Sequence, residues 1–563
     1  MKRFLAVYLA LCLAMALFAV PVFAEGAADP TGSGDTFFAN GTPITITAAA
    51  PPGGQVTAID GLNAGEGAYI SWVSGGVTKY VGVSAQATVY GGSDGRQAAV
   101  SVPSTSITMT GGTVRNLIGG NLGANAKAPL ATVTGDVTMR ISGDAKVVNY
   151  IAGGGYDNAC VNGTVSLTLD GVNFDGLDPY VNGGVWGHGS EGTRNIENGT
   201  MDTQAVANRV EIEVTGSQNI PLLGVGGGGS TKVNSGSLTV TNSSVNALYL
   251  GGINGETGSC EVMLNNANIT DMAATNRGFV GSAVVNVNGG SITNFYTGAA
   301  PGCFGSDSGL VDGSAVTGSI TWNLDANVQV ANAFITPNIK SNAGQYTAEV
   351  GNVAVNKQGD ALNMTADVFE PASGETVREF TVPAGETLKL EGTSVTILSD
   401  IVLKNEGTVE NKGAIDNRGS IENKGDGKLQ NIGEEASISG NKPSGAQAAV
   451  TYQFISGPAS YTLGTQKDAV FTLNGSVDQF VDFYIDGTKL VKDTDYTVQN
   501  GSVVITVKAS VMEKLSVGSH TLKAIYTLGE ATGSVTIEKQ AQAPTTPAAP
   551  STGKANPKTG VNL

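Results

Sequence analysis

Charge is scarce in this chain. Only 14% of its 563 residues are Asp, Glu, Lys or Arg, and aromatic residues make up 6%. No stretch beyond the N-terminal apolar run holds apolar residues at helical spacing for three turns, so a helical enzyme is excluded as the model for this sequence. Two histidines, His188 and His520, leave little for acid–base or metal chemistry. Of four cysteines, Cys12 falls in the N-terminal apolar run and Cys160, Cys260 and Cys303 remain. An odd number is no disulfide framework, and each stands beside apolar residues, which reads as a buried thiol. Base is scarcer than acid, giving a net charge of −17. A surface of that sign repels nucleic acid and anionic head groups.

What the chain has instead is glycine, 79 residues, about twice the usual share of roughly 7%. Apolar content of 40% is too high for a wholly disordered chain. The glycines close a recurring phrase between residues 89 and 324. Its endings are Val89-Tyr-Gly-Gly, Leu117-Ile-Gly-Gly, Ile151-Ala-Gly-Gly, Val181-Asn-Gly-Gly, Leu223-Gly-Val-Gly-Gly, Leu248-Tyr-Leu-Gly-Gly, Phe279-Val-Gly-Ser and Cys303-Phe-Gly-Ser. A recurrence of some 20 to 50 residues means stacked units. Before the endings stand alternating strands such as Val137-Thr-Met-Arg-Ile141, Val165-Ser-Leu-Thr-Leu169 and Val210-Glu-Ile-Glu-Val214, apolar on one face and polar on the other. A unit of this kind cannot bury its apolar face alone. The expectation is an all-β chain built as a parallel β-solenoid of right-handed β-helix type. The Gly-Gly pairs are expected at corners, where positive φ is needed and backbones come close. The competing arrangement is a row of antiparallel hairpins in a sandwich, with closer strand spacing.

Taken in order, residues 1–24 read as a secretory signal: Lys2-Arg3, an apolar run to Val20, then Pro21-Val-Phe-Ala24 with cleavage after Ala24. Residues 25–56 read as a spacer or N-terminal cap, and 57–339 as the glycine-rich solenoid repeats. Residues 340–440 hold a transition and then a tighter repeat of six: Asn405-Glu-Gly-Thr-Val-Glu, Asn411-Lys-Gly-Ala-Ile-Asp, Asn417-Arg-Gly-Ser-Ile-Glu. One apolar residue per hexad (Val409, Ile415, Ile421) faces inward, the asparagines form ladders, and the alternating acids and bases form a solvated face.

From 451 to 538 the pattern changes to short strands separated by turns such as Asp486-Gly and Asn500-Gly. The phrases Phe471-Thr-Leu-Asn-Gly475, Asp495-Tyr-Thr-Val498, Val503-Val-Ile-Thr-Val507 and Leu515-Ser-Val-Gly518 resemble the X2-type immunoglobulin-like modules of Gram-positive surface proteins. That resemblance implies a β-sandwich with a spacer or surface-associating role and no catalysis. Residues 539–563 form a Pro/Thr-rich linker ending in Asn556-Pro557-Lys558-Thr559-Gly560. This pentad is similar to the sorting motif of wall-anchored proteins, with Asn in place of the usual Leu. The likeness implies a sortase and peptidoglycan as partners, with Thr559 joined to the wall. Val561-Asn-Leu563 follow in place of the hydrophobic span and basic tail of that pattern, so the mature chain is expected to carry no membrane span.

Few residues invite chemistry. Gly224-Val-Gly-Gly-Gly-Gly229 with Ser230-Thr-Lys232 has the outline of a phosphate loop, but no helix follows, and a repeat corner is expected. Asp170, Asp175 and Asp178 cluster as a polysaccharide lyase or glycosidase would need, yet each precedes Gly, Pro or a turn, where Asp caps its own backbone. His188, next to Trp186, lacks an evident partner in sequence. Asp94 and Asp307 in Gly/Ser loops are candidates for a structural calcium, but the nine-residue calcium repeat is absent and no metal or cofactor is expected. Trp72, Tyr180 and Trp186 can stack on sugar rings. The sum is an exported surface protein that adheres or binds polysaccharide or host glycan without cutting it. The alternatives are a β-helix polysaccharide lyase or glycosidase, and a structural spacer without ligand.

Overall fold

Apolar–polar alternation becomes strand with one face buried. Val137–Ser142 and Thr105–Met109 bury every second side chain and leave the others toward solvent. The computed structural model describes residues 28–540 apart from 126–129, 188–192, 196–199, 252–254, 277, 301–314, 343–344, 367–377, 433–435, 446–451, 478, 500–502 and 527–528. Among the described residues the chain is all-β, the helical elements being a 3-10 turn at Pro52–Gly54 and a one-turn helix at Ala509–Met512. It divides into two units, residues 1–451 and 452–563.

In the first unit successive strands lie side by side and parallel. One ladder runs in register through Ile107, Met139, Leu167, Ile212, Leu238, Val262, Val285, Trp322, Val355 and Leu390. A second runs through Phe37, Val89, Leu117, Ile151, Val181, Leu223, Leu248, Met272, Phe295, Ala333, Met364 and Val395. Both columns are apolar and almost wholly buried, so each added rung covers the apolar face of the last. Truncating one such side chain, Leu167→Ala for example, is expected to cost about 2–5 kcal/mol. The ladders cross residue 339 without a break. At the other end Thr36–Phe38 and Ile44–Thr47 supply the outermost rung, and Ala64–Ser74 and Val77–Val83 form an antiparallel hairpin paired to it.

Of the two causes expected for the Gly-Gly pairs, close approach is found and positive φ is not. Among the repeat glycines at 91–92, 119–120, 153–154, 183–184 and 226–227, none has positive φ. What excludes a side chain there is the opposing wall. A Cβ on Gly119 would lie 2.5 Å from Val137 Cγ1, and one on Gly153 2.6 Å from Val165 Cγ1 and 2.5 Å from the Gly183 carbonyl oxygen. The glycines continue the hydrogen-bond ladder past the strand ends, as in Gly119 N–H to Ala152 O at 2.8 Å and Gly153 N–H to Asn182 O at 2.9 Å. Positive φ belongs instead to glycines of turns, among them Gly75 and Gly76 in the hairpin and Gly143, Gly171 and Gly216 in the repeats.

The hexads stack in threes. Leu403 pairs with Ile421, Leu388 with Val409 and Val409 in turn with Leu429, and Val395 with Ile415 and Ile415 in turn with Ile438, so successive hexads fall on three ladders in turn. Val409, Ile415 and Ile421 are buried, and so are the asparagines two residues on. Asn405 Nδ2 donates to Asn423 Oδ1 and Asn411 Nδ2 to Asn431 Oδ1, both at 2.8 Å. The first ladder thus passes from Leu390 to Asn411 to Asn431. Outside, Lys412–Glu391 at 2.9 Å and Lys389–Glu410 at 3.1 Å are exposed ion pairs between rungs, each stabilising by about 0–1 kcal/mol.

The second unit has two sheets. Phe454–Ser456, Ala469–Leu473, Val503–Val507 and Tyr496–Gln499 form one; Ser460–Thr462, Gly529–Glu538, Gly518–Tyr526, Phe480–Ile485 and Thr488–Lys489 form the other. The first strand begins in one sheet and, past Gly457-Pro458, pairs in the other. Phe454, Phe471 and Phe483 meet in its interior, with ring centroids 6.1–6.2 Å apart.

Candidate functional site: an aromatic platform

The outward face of the second ladder carries a column that begins Thr36, Thr88, Asn116, Tyr150, Tyr180, Leu222. Tyr150 and Tyr180 are direct neighbours in register, with ring centroids 6.0 Å apart. Each stands immediately before the buried aliphatic residue of its strand, Ile151 or Val181, so alternation turns both rings outward. Two rungs of parallel strands lie about 4.8 Å apart, close enough for the rings to touch.

Trp186 completes the group. Leaving the corner Gly183-Gly184-Val185, the chain bridges in parallel to Tyr156, and Asp157 N–H donates to Trp186 O at 2.9 Å. The indole comes 4.9 Å from the Tyr150 ring and is stacked on Tyr180 at 5.7 Å and 26°. Gly228, in the run once comparable to a phosphate loop, seats it: a Cβ there would overlap the six-membered ring of the indole. Thr231 Oγ1 fixes the same run by donating to Val185 O at 2.9 Å. Tyr180 is 36% exposed and Trp186 partly buried, so the platform faces solvent on one side. Beside it the outward amides are linked, Asn149 Nδ2 to Asn116 Oδ1 at 3.2 Å and Asn116 Nδ2 to Thr88 Oγ1 at 2.8 Å. Burial pushes the nearby Tyr156 phenol upward, with the Asp157 charge adding to it.

The structure brings Trp186 and Tyr180 together and separates them in role from Trp72. Trp72, 4% exposed, is packed in the hairpin 6.4 Å from Phe37 and offers no ring face to a sugar, which corrects the expectation for it. Tyr150 was missed by reading strands singly. Its signal lies in the repeat: aligned on their glycines, Tyr150-Ile-Ala-Gly-Gly and Tyr180-Val-Asn-Gly-Gly put the two tyrosines in one column.

The carboxylates go elsewhere. Asp170 ends the strand Ala159–Asp170 and is ion-paired with Arg140 of the neighbouring rung. Asp175 lies in an exposed turn where its own N–H donates to Asn173 Oδ1 at 3.0 Å, and Asp178 is exposed two residues before Tyr180. Asp94 holds Arg96 at 2.7 Å, and that guanidinium keeps its carboxyl below the usual range. His188, Asp307, Cys303, Ala24 and the pentad Asn556, Pro557, Lys558, Thr559 and Gly560 lie outside the described residues. Among the described residues no helix is long and apolar enough to cross a membrane. Compared with family models, curated proteins and solved structures, the chain matches none.

Proposed function

We propose that this chain is an exported bacterial surface protein that binds glycan without cleaving it, using Tyr150, Tyr180 and Trp186 as a stacking platform. The reading takes the first unit as a parallel β-solenoid and the second as an X2-type immunoglobulin-like module that holds or spaces it at the cell surface. The single observation that carries it is the meeting of three aromatic rings from two adjacent rungs on a solvent-facing side. Aromatic rings stack on the C–H faces of sugars, and an amphipathic ring with one wet side is suited to that contact. The acidic net charge favours neutral ligands over polyanionic ones. The parallel ladders support the solenoid reading, since pairing of each rung with its neighbours alone is how stacked repeats are built.

The test is incubation of the purified chain with neutral plant, mucin and bacterial-wall polysaccharides, following both retention and new reducing or unsaturated ends. Retention that disappears in Tyr180→Ala and Trp186→Ala, with no new ends, is the expected result. New ends that vanish in Asp175→Asn/Asp178→Asn would replace this reading with the lyase or glycosidase. Retention by neither the parent chain nor its variants would leave a spacer.

A further inference from the structure

Asn182 stands between Ala152 and Gly224 in the outward column. It lies two residues after Tyr180 and therefore on the same side of the strand. It is fully buried, yet neither its Oδ1 nor its Nδ2 has a hydrogen-bond partner. An unpaired amide removed from water is costly, and here both ends of the amide are unpaired.

The surroundings explain how it is covered. In register, Tyr150 stands beside Tyr180 and Ala152 beside Asn182, so the four outline a square on the outward face. The Trp186 ring meets Tyr150 and Tyr180 and packs against the apolar cluster that includes Ala152. It thus meets two corners of the square and packs against the cluster that holds the third, on the side that Asn182 shares. On either side of Asn182 the column holds only Ala152 and Gly224, which leaves room above the amide once the indole moves.

We infer that Asn182 is the polar floor of the aromatic platform and that Trp186 covers it when no ligand is bound. The inference rests on the glycan-binding reading and deepens it. A carboxamide presents one acceptor and two donors within a few ångströms, the complement of two adjacent hydroxyls on one pyranose ring. The ligand class is therefore a neutral hexose with adjacent ring hydroxyls, stacked on Tyr150 and Tyr180, whose edge pairs with the amide while the indole swings aside to pack against the sugar ring. Asp157 beside Trp186 and exposed Asp178 ahead of Tyr180 disfavour a uronic acid in the same place.

The experiment uses the full chain and whichever neutral polysaccharide it retains most strongly, with Asn182→Ala, Asn182→Ser and Trp186→Ala compared. The expected result is at least a tenfold loss of affinity in Asn182→Ala at a melting temperature equal to or above that of the parent, because a buried unpaired group has been removed. Asn182→Ser, which keeps a small polar group, loses less. Ligand addition shifts tryptophan emission in the parent and not in Trp186→Phe. Unchanged affinity in both Asn182 variants, with binding lost in Trp186→Ala, overturns the floor and leaves the platform standing. Unchanged affinity in Trp186→Ala, or no retained polysaccharide at all, overturns the platform and the floor together. If Asn182→Ala fails to fold, Asn182→Ser decides the question by the same affinity comparison.

Discussion

Val225 and Gly236 face each other across the interior with their sizes exchanged relative to the adjacent rung. There Gly183 sits against Val210; one rung on, Val210 is followed in register by Gly236, and a Cβ on Gly236 would collide with Val225 Cγ1. The space between the two walls is constant, and only the wall that fills it changes. Gly236→Val is expected to destabilise by about 1–3 kcal/mol through overpacking. Val225→Gly is expected to destabilise by a similar amount through the lost side chain. The double variant recreates the Gly183–Val210 arrangement, so its cost should fall short of the sum by about 0.5–3 kcal/mol. Chemical denaturation of the four proteins checks it; strict additivity would mean that the two sites are independent.

The two kinds of glycine should answer differently to substitution. Gly153→Ala places a methyl against Val165 and the Gly183 carbonyl and is expected to cost about 1–3 kcal/mol although its φ is ordinary. Gly75→Asn has open space and needs only a left-handed backbone, which Asn tolerates, so its cost should stay below about 1 kcal/mol. Comparing melting temperatures separates close approach from backbone conformation as the reason for each.

How far the sequence reveals this molecule depends on the range of the signal. Alternation is local, and it locates strands such as Val210-Glu-Ile-Glu-Val214 and the buried side of each. Pairing is not local. Phe279-Val-Gly-Ser has the form of a phrase ending, yet it begins the strand Phe279–Ala299; the residues level with the Leu248-Tyr249-Leu250 ending are Met272-Ala273-Ala274, inside the strand Glu256–Thr275 and without glycine. The hairpin of Ala64–Ser74 with Val77–Val83 was announced by Gly75-Gly76 but hidden by the repeat that follows it. In the same way Tyr150 became a site residue only through its register with Tyr180, a relation that no single strand contains.

The buried amide ladder of the hexads should behave as a set of pairs. Asn405→Ala leaves Asn423 Oδ1 without its donor inside the stack, and a loss of about 1–3 kcal/mol is expected. Lys412→Ala, on the exposed face, removes the pair with Glu391 and should move stability by less than about 1 kcal/mol. Urea titrations of the two variants give the comparison; equal effects would argue against the ladder as a source of stability.

The second unit should carry a pH dependence through His520. Its Nε2 meets the Ser516 carbonyl at 2.6 Å and its Nδ1 meets Asp486 Oδ2 at 2.5 Å, so both ring nitrogens face acceptors and the doubly protonated ring is favoured. The carbonyl and then the carboxylate raise the imidazole's pKa against the opposing effect of burial. The hydrogen bond from His520, with that from Thr521 N–H, lowers the carboxyl of Asp486. A raised histidine contributes its full stabilisation below the unfolded value of about 6.5 and loses it as pH rises through the folded value. A lowered aspartate contributes above about 3.8 and loses it as pH falls. Stability is therefore expected to peak between roughly pH 4 and 6.5, with the alkaline limb flattened in His520→Gln. The sequence has only two histidines, so an NMR titration compared with that variant reads the His520 pKa in the intact chain. A value at or below 6.5 would contradict the geometry.

Because among the described residues each rung of the parallel ladders pairs with the rungs before and after it, chain length and ladder position are uncoupled. Leu223 follows Val181 by 42 positions and Phe295 follows Met272 by 23, yet both pairs sit side by side in the same column. Mutational drift in such a molecule is quantised. Loss or duplication of one entire repeat only shortens or lengthens the parallel ladders, and residues added between strands become slack. A single residue gained inside a strand, by contrast, turns its apolar face to water and breaks the column on both sides.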